Sequence, residues 1–169
     1  MAAVLNKRTP LPEPITIHGV DIIPASASLA SLDMGLPAPS LLYLRNNLVP
    51  YKSQYDYILI DSPPALGPTS QVCALAADGL IVVMSTDAKS MEGYNNILAF
   101  KERFADLLPG GEMTITAHLA TKHDKDASTA RYMYKLIQDT CSPLAPVLGP
   151  LDDFRIYDKA IASRKPVLL

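Results

Sequence analysis

Tyr55-Asp56-Tyr57-Ile58-Leu59-Ile60-Asp61-Ser62-Pro63-Pro64-Ala65-Leu66-Gly67 is the stretch on which the fold class turns. Its first six residues are mostly aromatic or branched aliphatic, which predicts a strand, and two adjacent prolines then end any ladder pairing. The pattern places a carboxylate, Asp61, at the C-terminal end of a buried strand. In an open parallel sheet, ligands bind beyond the carboxyl ends of the strands. An acid there can hold Mg²⁺, which takes a few carboxylate or hydroxyl oxygens and keeps the rest of its water. A helix or turn cap is the competing reading of the same aspartate.

Downstream, Thr69 or Ser70 is expected to cap a helix running through Ala77, and residues 79–84 (GLIVVM) read as a strand buried on both faces. Residues 90–108 repeat Met91, Tyr94, Ile97, Leu98, Phe104 and Leu108 at helical intervals and close on Pro109-Gly110-Gly111. Residues 113–121 alternate as a strand, 126–139 form a helix carrying Tyr132, Leu136 and Ile137, 146–148 a short strand, and 152–163 a last helix. Upstream, Pro39 precedes an amphipathic helix through Leu41, Leu42, Leu44, Leu48 and Val49, its polar face carrying Arg45, Asn46 and Asn47. Residues 20–24 read as one strand, 26–35 as a small-residue loop or helical turn, and 1–19 as a Pro-rich lead-in with a helical remnant at 2–6 and an extended connector. Strands and helices alternate, so the expected architecture is α/β: a three-layer domain with a mostly parallel sheet and helices on both faces.

The 169 residues, 18.3 kDa, suit a single domain with one core. With 49% apolar and 19% charged residues, intrinsic disorder is excluded. A net charge of −2 excludes a domain held on nucleic acid by bulk positive charge, leaving room only for local basic patches. No apolar run approaches the ~18 residues of a membrane span, and residues 1–14 lack a signal-peptide pattern, so the expected compartment is the cytoplasm. Cys73 and Cys141 lack metal-site spacing and read as buried thiols; His118 and His123 flank a strand end without a third ligand and read as structural.

Residues 55–67 closely resemble the Walker B and switch region of the ParA/MinD (Soj-like) family of deviant-Walker P-loop ATPases. The resemblance continues in register. Residues 20–26 (VDIIPAS) are similar to the strand before the family's Walker B helix, and Ala76-Ala77-Asp78 with GLIVVM to its next strand entry. Ser90-Met91-Glu92-Gly93-Tyr94 is similar to its ALEG helix start, and Lys165-Pro166-Val167 to its GKPV. The resemblance implies that Asp61 organises Mg²⁺ and the attacking water, catalytically and as metal ligand, and that Ser62, Pro63, Pro64 and Gly67 belong to a switch loop that responds to the γ-phosphate. It implies that Thr121 and Pro150 line the adenine pocket, completed by backbone near Leu151 and Asp152. Lys122, Lys125, Arg131 and Lys135 would meet DNA phosphates, a solvated helix start being the plainer reading of that cluster. Arg155, Lys159, Arg164 and Lys165 form a second basic strip. The implied ligands are ATP and Mg²⁺; the implied partners are a ParB-like protein, non-specific DNA on the nucleoid, and a second subunit. The implied role is a Mg-ATP-dependent switch in plasmid or chromosome segregation, with a non-catalytic ParA-like interaction module as the alternative.

One departure stands out. None of the eight glycines is followed by lysine, so this sequence holds no glycine-rich phosphate loop. By the resemblance, the chain corresponds to the family's fold after the Walker A and first switch regions. Three readings follow: an incomplete gene, a paralogue that no longer hydrolyses ATP, or a product completed by another chain. The family's first strand lies beside residues 57–61, so its loss implies an open apolar edge and a chain prone to associate.

Overall fold

The computed structural model describes residues 10–25, 41–108, 110–152 and 155–163. Its contacts divide the chain into two compact units, residues 1–79 with 100–113, and residues 80–99 with 114–169. The expected helix at 2–6, the loop at 26–35, and the Lys165-Pro166-Val167 motif lie outside the described residues.

In the first unit, β1 (Ile15–Ile17) and β2 (Val20–Ile22) form an antiparallel hairpin across His18 and Gly19. Both turn residues have positive φ, 51° and 80°, the geometry of a tight two-residue turn that favours glycine. The sequence reading expected a single strand here and an extended connector before it. It missed β1, because the His-Gly signal is weaker than the Asn-Gly or Asp-Gly usually read as a hairpin. Thr16 Oγ1 and the Tyr55 hydroxyl both donate to the Asp21 carboxylate, at 2.5 and 2.7 Å, and hold its pKa below the ordinary value.

Helix α1 (Tyr43–Leu48) packs against α2 (Pro68–Ala76). Leu44 and Leu48 of α1 and Val72 and Leu75 of α2 are buried, as the periodicity predicted for the first of these helices. The Arg45 guanidinium crosses to the C-terminus of α2 and donates to the carbonyls of Leu75 and Ala77 at 3.2 and 3.0 Å. Those carbonyls have no partner within the helix, so Arg45 serves as a side-chain cap. Arg45 and Lys52 also pair with Asp78, at 3.3 and 2.6 Å, and the Lys52 bond foremost lowers the Asp78 pKa.

Residues 55–60, expected as the strongest strand, pair with nothing among the described residues. Asp56 lies in a bend, and Tyr57 and Leu59 are each 86% exposed. Composition favours an extended backbone, but a strand exists only where a second edge meets its N–H and C=O groups. Asp61 therefore follows an exposed segment, not a buried strand.

The second unit holds a parallel sheet in the order β3 (Leu80–Ser85), β4 (Ile115–Thr121), β5 (Val147–Leu148). Helix α3 (Ala88–Ala105), of which residues through Ala99 belong to this unit, connects β3 to β4, and α4 (Ser128–Cys141) connects β4 to β5. A final helix, α5, spans Arg155–Ser163. Alternating strands and helices around a parallel sheet make this an α/β fold, the class expected from the sequence. Val82 and Met84 of β3 enter a core with Tyr94, Ile115, Ile137, Cys141 and Ala145. The opposite face of β3 differs from expectation: Ile81 and Val83 are 54% and 62% exposed, so the continuous apolar run is buried on one side. Only β4, paired along both edges, keeps side chains of both parities buried, among them Ala117, His118 and Ala120.

The start of α3 also moves, from Ser90 to Ala88. Asp87 accepts the Ser90 backbone N–H at 3.0 Å and the Ser85 hydroxyl at 2.5 Å, capping the helix one turn ahead of the serine. The two donors hold the Asp87 carboxyl below the usual range.

Candidate nucleotide and switch-loop residues

The residues proposed from sequence fall in both units, each of which forms a local arrangement of its own. In the first, residues 61–66 are exposed and lead into α2. The helix begins at Pro68 with Gly67 as its N-cap, not at a Thr69 or Ser70 cap. Proline at the first helical position loses no hydrogen bond there and has a suitable fixed φ. This frees Ser70, 6% exposed, to turn its hydroxyl back to the loop, where it contacts the carbonyls of Pro63, at 3.1 Å, and Ala65. A buried hydroxyl on a helix thus tethers a loop stiffened by Pro63 and Pro64. The sequence reading missed this role; a serine following the Pro-Pro turn by less than two helical turns was the available signal.

Asp61 has no ion-pair partner among the described residues and lies close enough to Cys73 to raise its thiol pKa, after the larger effect of burial. No group of three His, Cys, Asp or Glu residues among those described could hold a metal. One carboxylate and the neighbouring Ser62 hydroxyl still fit Mg²⁺, which binds through one or two protein oxygens, water and substrate phosphate. They do not fit a cation that requires a full protein cage.

In the second unit, the carboxyl ends of β4 and β5 meet. Leu151 N–H donates to Ala120 O at 2.9 Å, and His123 N–H to Leu151 O at 3.1 Å, which brings the Thr121 and Pro150 segments side by side. Gly149 makes the approach possible. Its φ is +91°, and an added Cβ would stand 2.7 Å from Ala120 O and 3.0 Å from Leu151 N. The Tyr134 hydroxyl donates to Gly149 O at 2.9 Å, and the Tyr134 ring lies 5.7 Å from that of His123. His123 is 7% exposed, and its Nδ1 has no hydrogen-bond partner among the described residues. Lys122 has left-handed φ, 51°, and its carbonyl accepts from Thr86 Oγ1 at 3.4 Å.

The four basic residues are exposed but not equivalent. Lys135 pairs with Asp139 at 2.8 Å, and Arg131 donates to the Lys125 carbonyl at 2.6 Å. Lys122 and Lys125 make no ion pair among the described residues. His118 is fully buried, its Nε2 2.8 Å from the Tyr94 hydroxyl and its Nδ1 3.3 Å from Ala145 O, which agrees with a structural role.

The sequence profile of the AAA domain family matches residues 1–109, more than half of the chain. This chain is a ParA-like member of that family. Chromosome partitioning protein ParA of Caulobacter vibrioides is 28% identical over 123 residues, covering 70% of this chain and 46% of that protein. The ParA-like chain spans about half the length of curated relatives that it matches at 30% identity. Among solved structures, the Cyanothece McdA(D38A)–ATP complex superposes with a TM-score of 0.80 at 18% identity, over 97% of this chain and 66% of that one. Cobyrinic acid a,c-diamide synthase of Mycobacterium smegmatis, bound to an ATP analogue and magnesium, gives 0.76 at 18% identity, over 99% and 75%. At these identities the structural likeness establishes the fold. No described helix is long and apolar enough to cross a membrane.

Proposed function

We propose that this chain, as one ParA-like domain, supplies the Mg²⁺-side aspartate and the switch loop of a partition or positioning ATPase. The observation carrying the reading is the Asp61–Gly67 loop: a carboxylate without an ion-pair partner among the described residues, then two prolines, with the buried Ser70 of α2 tethering the loop. When bound, Mg²⁺ would neutralise charge on the phosphates of ATP. Asp61 and Ser62 would hold it through oxygen. Because Pro63 and Pro64 have few conformations, a displacement at Asp61 would pass through the Ser70 contact into α2 instead of dissipating in the loop.

Thr121 and Pro150, adjacent at two strand ends, are the proposed base-side residues, and Lys122 and Lys125 the basic residues best placed for non-specific DNA. A ParB-like partner protein and non-specific DNA of the nucleoid, in the cytoplasm, are the partners and setting proposed here, in keeping with a relative named as a chromosome partitioning protein. The phosphate cradle has no counterpart in this sequence, so hydrolysis would require one from elsewhere. The names of the relatives favour this reading over a non-catalytic interaction module.

Titration calorimetry with ATP tests the proposal. Binding is expected to need Mg²⁺, and Asp61→Ala should weaken it by about 10–100-fold, the range found for disturbed metal shells. Equal binding by the variant, or binding indifferent to chelation, would remove Asp61 from the site.

A further inference from the structure

Helix α2 is tied near both of its ends. At its first turn the buried Ser70 hydroxyl meets the Pro63 and Ala65 carbonyls of the loop. At its last turn the Arg45 guanidinium of α1 donates to the Leu75 and Ala77 carbonyls, at 3.2 and 3.0 Å. Ser70 and Ala77 stand about 10 Å apart along the axis. Between them Val72 and Leu75 are fully buried, and after Pro68 the helix holds no glycine or proline at which to kink, so its two ends move together. Arg45 does more here than pair with a surface charge. Its side chain is 22% exposed, whereas Asp78, which it meets at 3.3 Å, is 66% exposed and lies closer to Lys52, at 2.6 Å. An exposed ion pair of that kind contributes little, so the helix carbonyls are the contacts that matter.

We infer that Arg45 is a positioning residue of the 61–67 loop, acting through α2. By holding the C-terminal carbonyls it fixes where Ser70 stands, and Ser70 in turn fixes Pro63 and Ala65. Such coupling is reciprocal: a ligand that displaces the loop would shift α2 against α1 by a small slide of packed helices. The inference rests on the switch-loop reading for what the coupling serves, while the coupling itself requires no nucleotide.

A double-mutant cycle in urea, on the full chain without nucleotide, tests it. Ser70→Ala and Arg45→Gln remove contacts that share no partner, so as independent ties their effects on the unfolding constant should multiply. The inference predicts a shortfall from that product of about threefold or more, because once one end of α2 is loose the other holds less. Lys52→Gln, which removes a partner of Asp78 and no contact to α2, should combine with Ser70→Ala without such a shortfall. Amide exchange gives a second readout. The Gln71 N–H, bonded to Gly67 O at 3.1 Å in the first turn, should exchange about threefold faster or more in Arg45→Gln, and at the wild-type rate in Lys52→Gln. A cap acting only locally would speed the last turn alone. Calorimetry with Mg-ATP separates the two proposals: a wild type that binds no ATP removes the switch reading, and the cycle still decides the coupling. Single effects that multiply fully, a Gln71 amide unmoved by Arg45→Gln, or Mg-ATP bound by Arg45→Gln as tightly as by a binding wild type would each overturn the assignment of Arg45.

Discussion

Gly149→Val is expected to lower the stability of the chain by about 3 kcal/mol or more, read as a fall in the urea midpoint. Two costs add. A β-branched residue at φ +91° occupies a backbone region that L side chains rarely adopt. Its Cβ would also press on Ala120 O at 2.7 Å and Leu151 N at 3.0 Å. These two atoms are hydrogen-bonded to each other at 2.9 Å, so relieving the clash means opening the bond that joins the ends of β4 and β5. Gly110 supplies the control. It has φ +92° but nothing within 4 Å of an added Cβ, so Gly110→Ala should cost only the backbone strain, about 1 kcal/mol. A Gly149→Val variant as stable as the Gly110→Ala control would show that the two strand ends do not meet as described.

Tyr94→Phe is the second large change. The Tyr94 hydroxyl lies 2.8 Å from His118 Nε2, with both residues buried, and losing it leaves a buried ring nitrogen unpaired at a cost of about 1–3 kcal/mol. It should also remove an alkaline transition. Burial first, and the Cys141 thiol second, push the Tyr94 phenol from 10.0 up to about 12. Because the folded-state value is the higher one, the stabilising contribution is complete below the unfolded value of 10.0 and is lost as pH rises from there to about 12. Over that window the unfolded chain gives up the proton while the folded chain retains it. Urea midpoints measured upward from neutral pH should therefore decline more steeply in the wild type than in Tyr94→Phe. Parallel curves would mean that the phenol is not buried against His118.

Periodicity made most of the fold legible. The spacing of Leu44 and Leu48, of Tyr94 and Ile97, and the position of Ile137 reported which faces are buried, because a helix repeats its surface every three to four residues. Long-range pairing was less legible. Residues 55–60 and 80–84 have similar compositions, yet 80–85 form a ladder with β4 and 55–60 form none among the described residues, since pairing depends on where a second edge lies. One face of β3 stayed open for a related reason: an apolar run reports that both faces can be buried, not that both are. Short-range polar signals were read one step out of place. The helix expected from Ser90 starts at Ala88 with Asp87 as its cap, and Ser70 serves the loop and not the helix start, because one oxygen suits either purpose and only the backbone chooses. At the candidate site, Asp61 and the Pro63-Pro64 loop were visible as types in order. Gly149 and His123 were not, because their significance lies in contacts between β4 and β5 that sequence order does not state.

Amide hydrogen exchange across residues 61–70, with and without Mg-ATP, tests the central claim most directly. Asp61, Ser62, Ala65, Leu66, Gly67, Thr69 and Ser70 carry exchangeable amides, and the prolines between them do not. The account predicts slower exchange in the loop and the first turn of α2 when Mg²⁺ and ATP are both present, and none of that protection in Asp61→Ala or after chelation. Exchange in this loop that is unchanged by Mg-ATP, or equally slowed in Asp61→Ala, would contradict it.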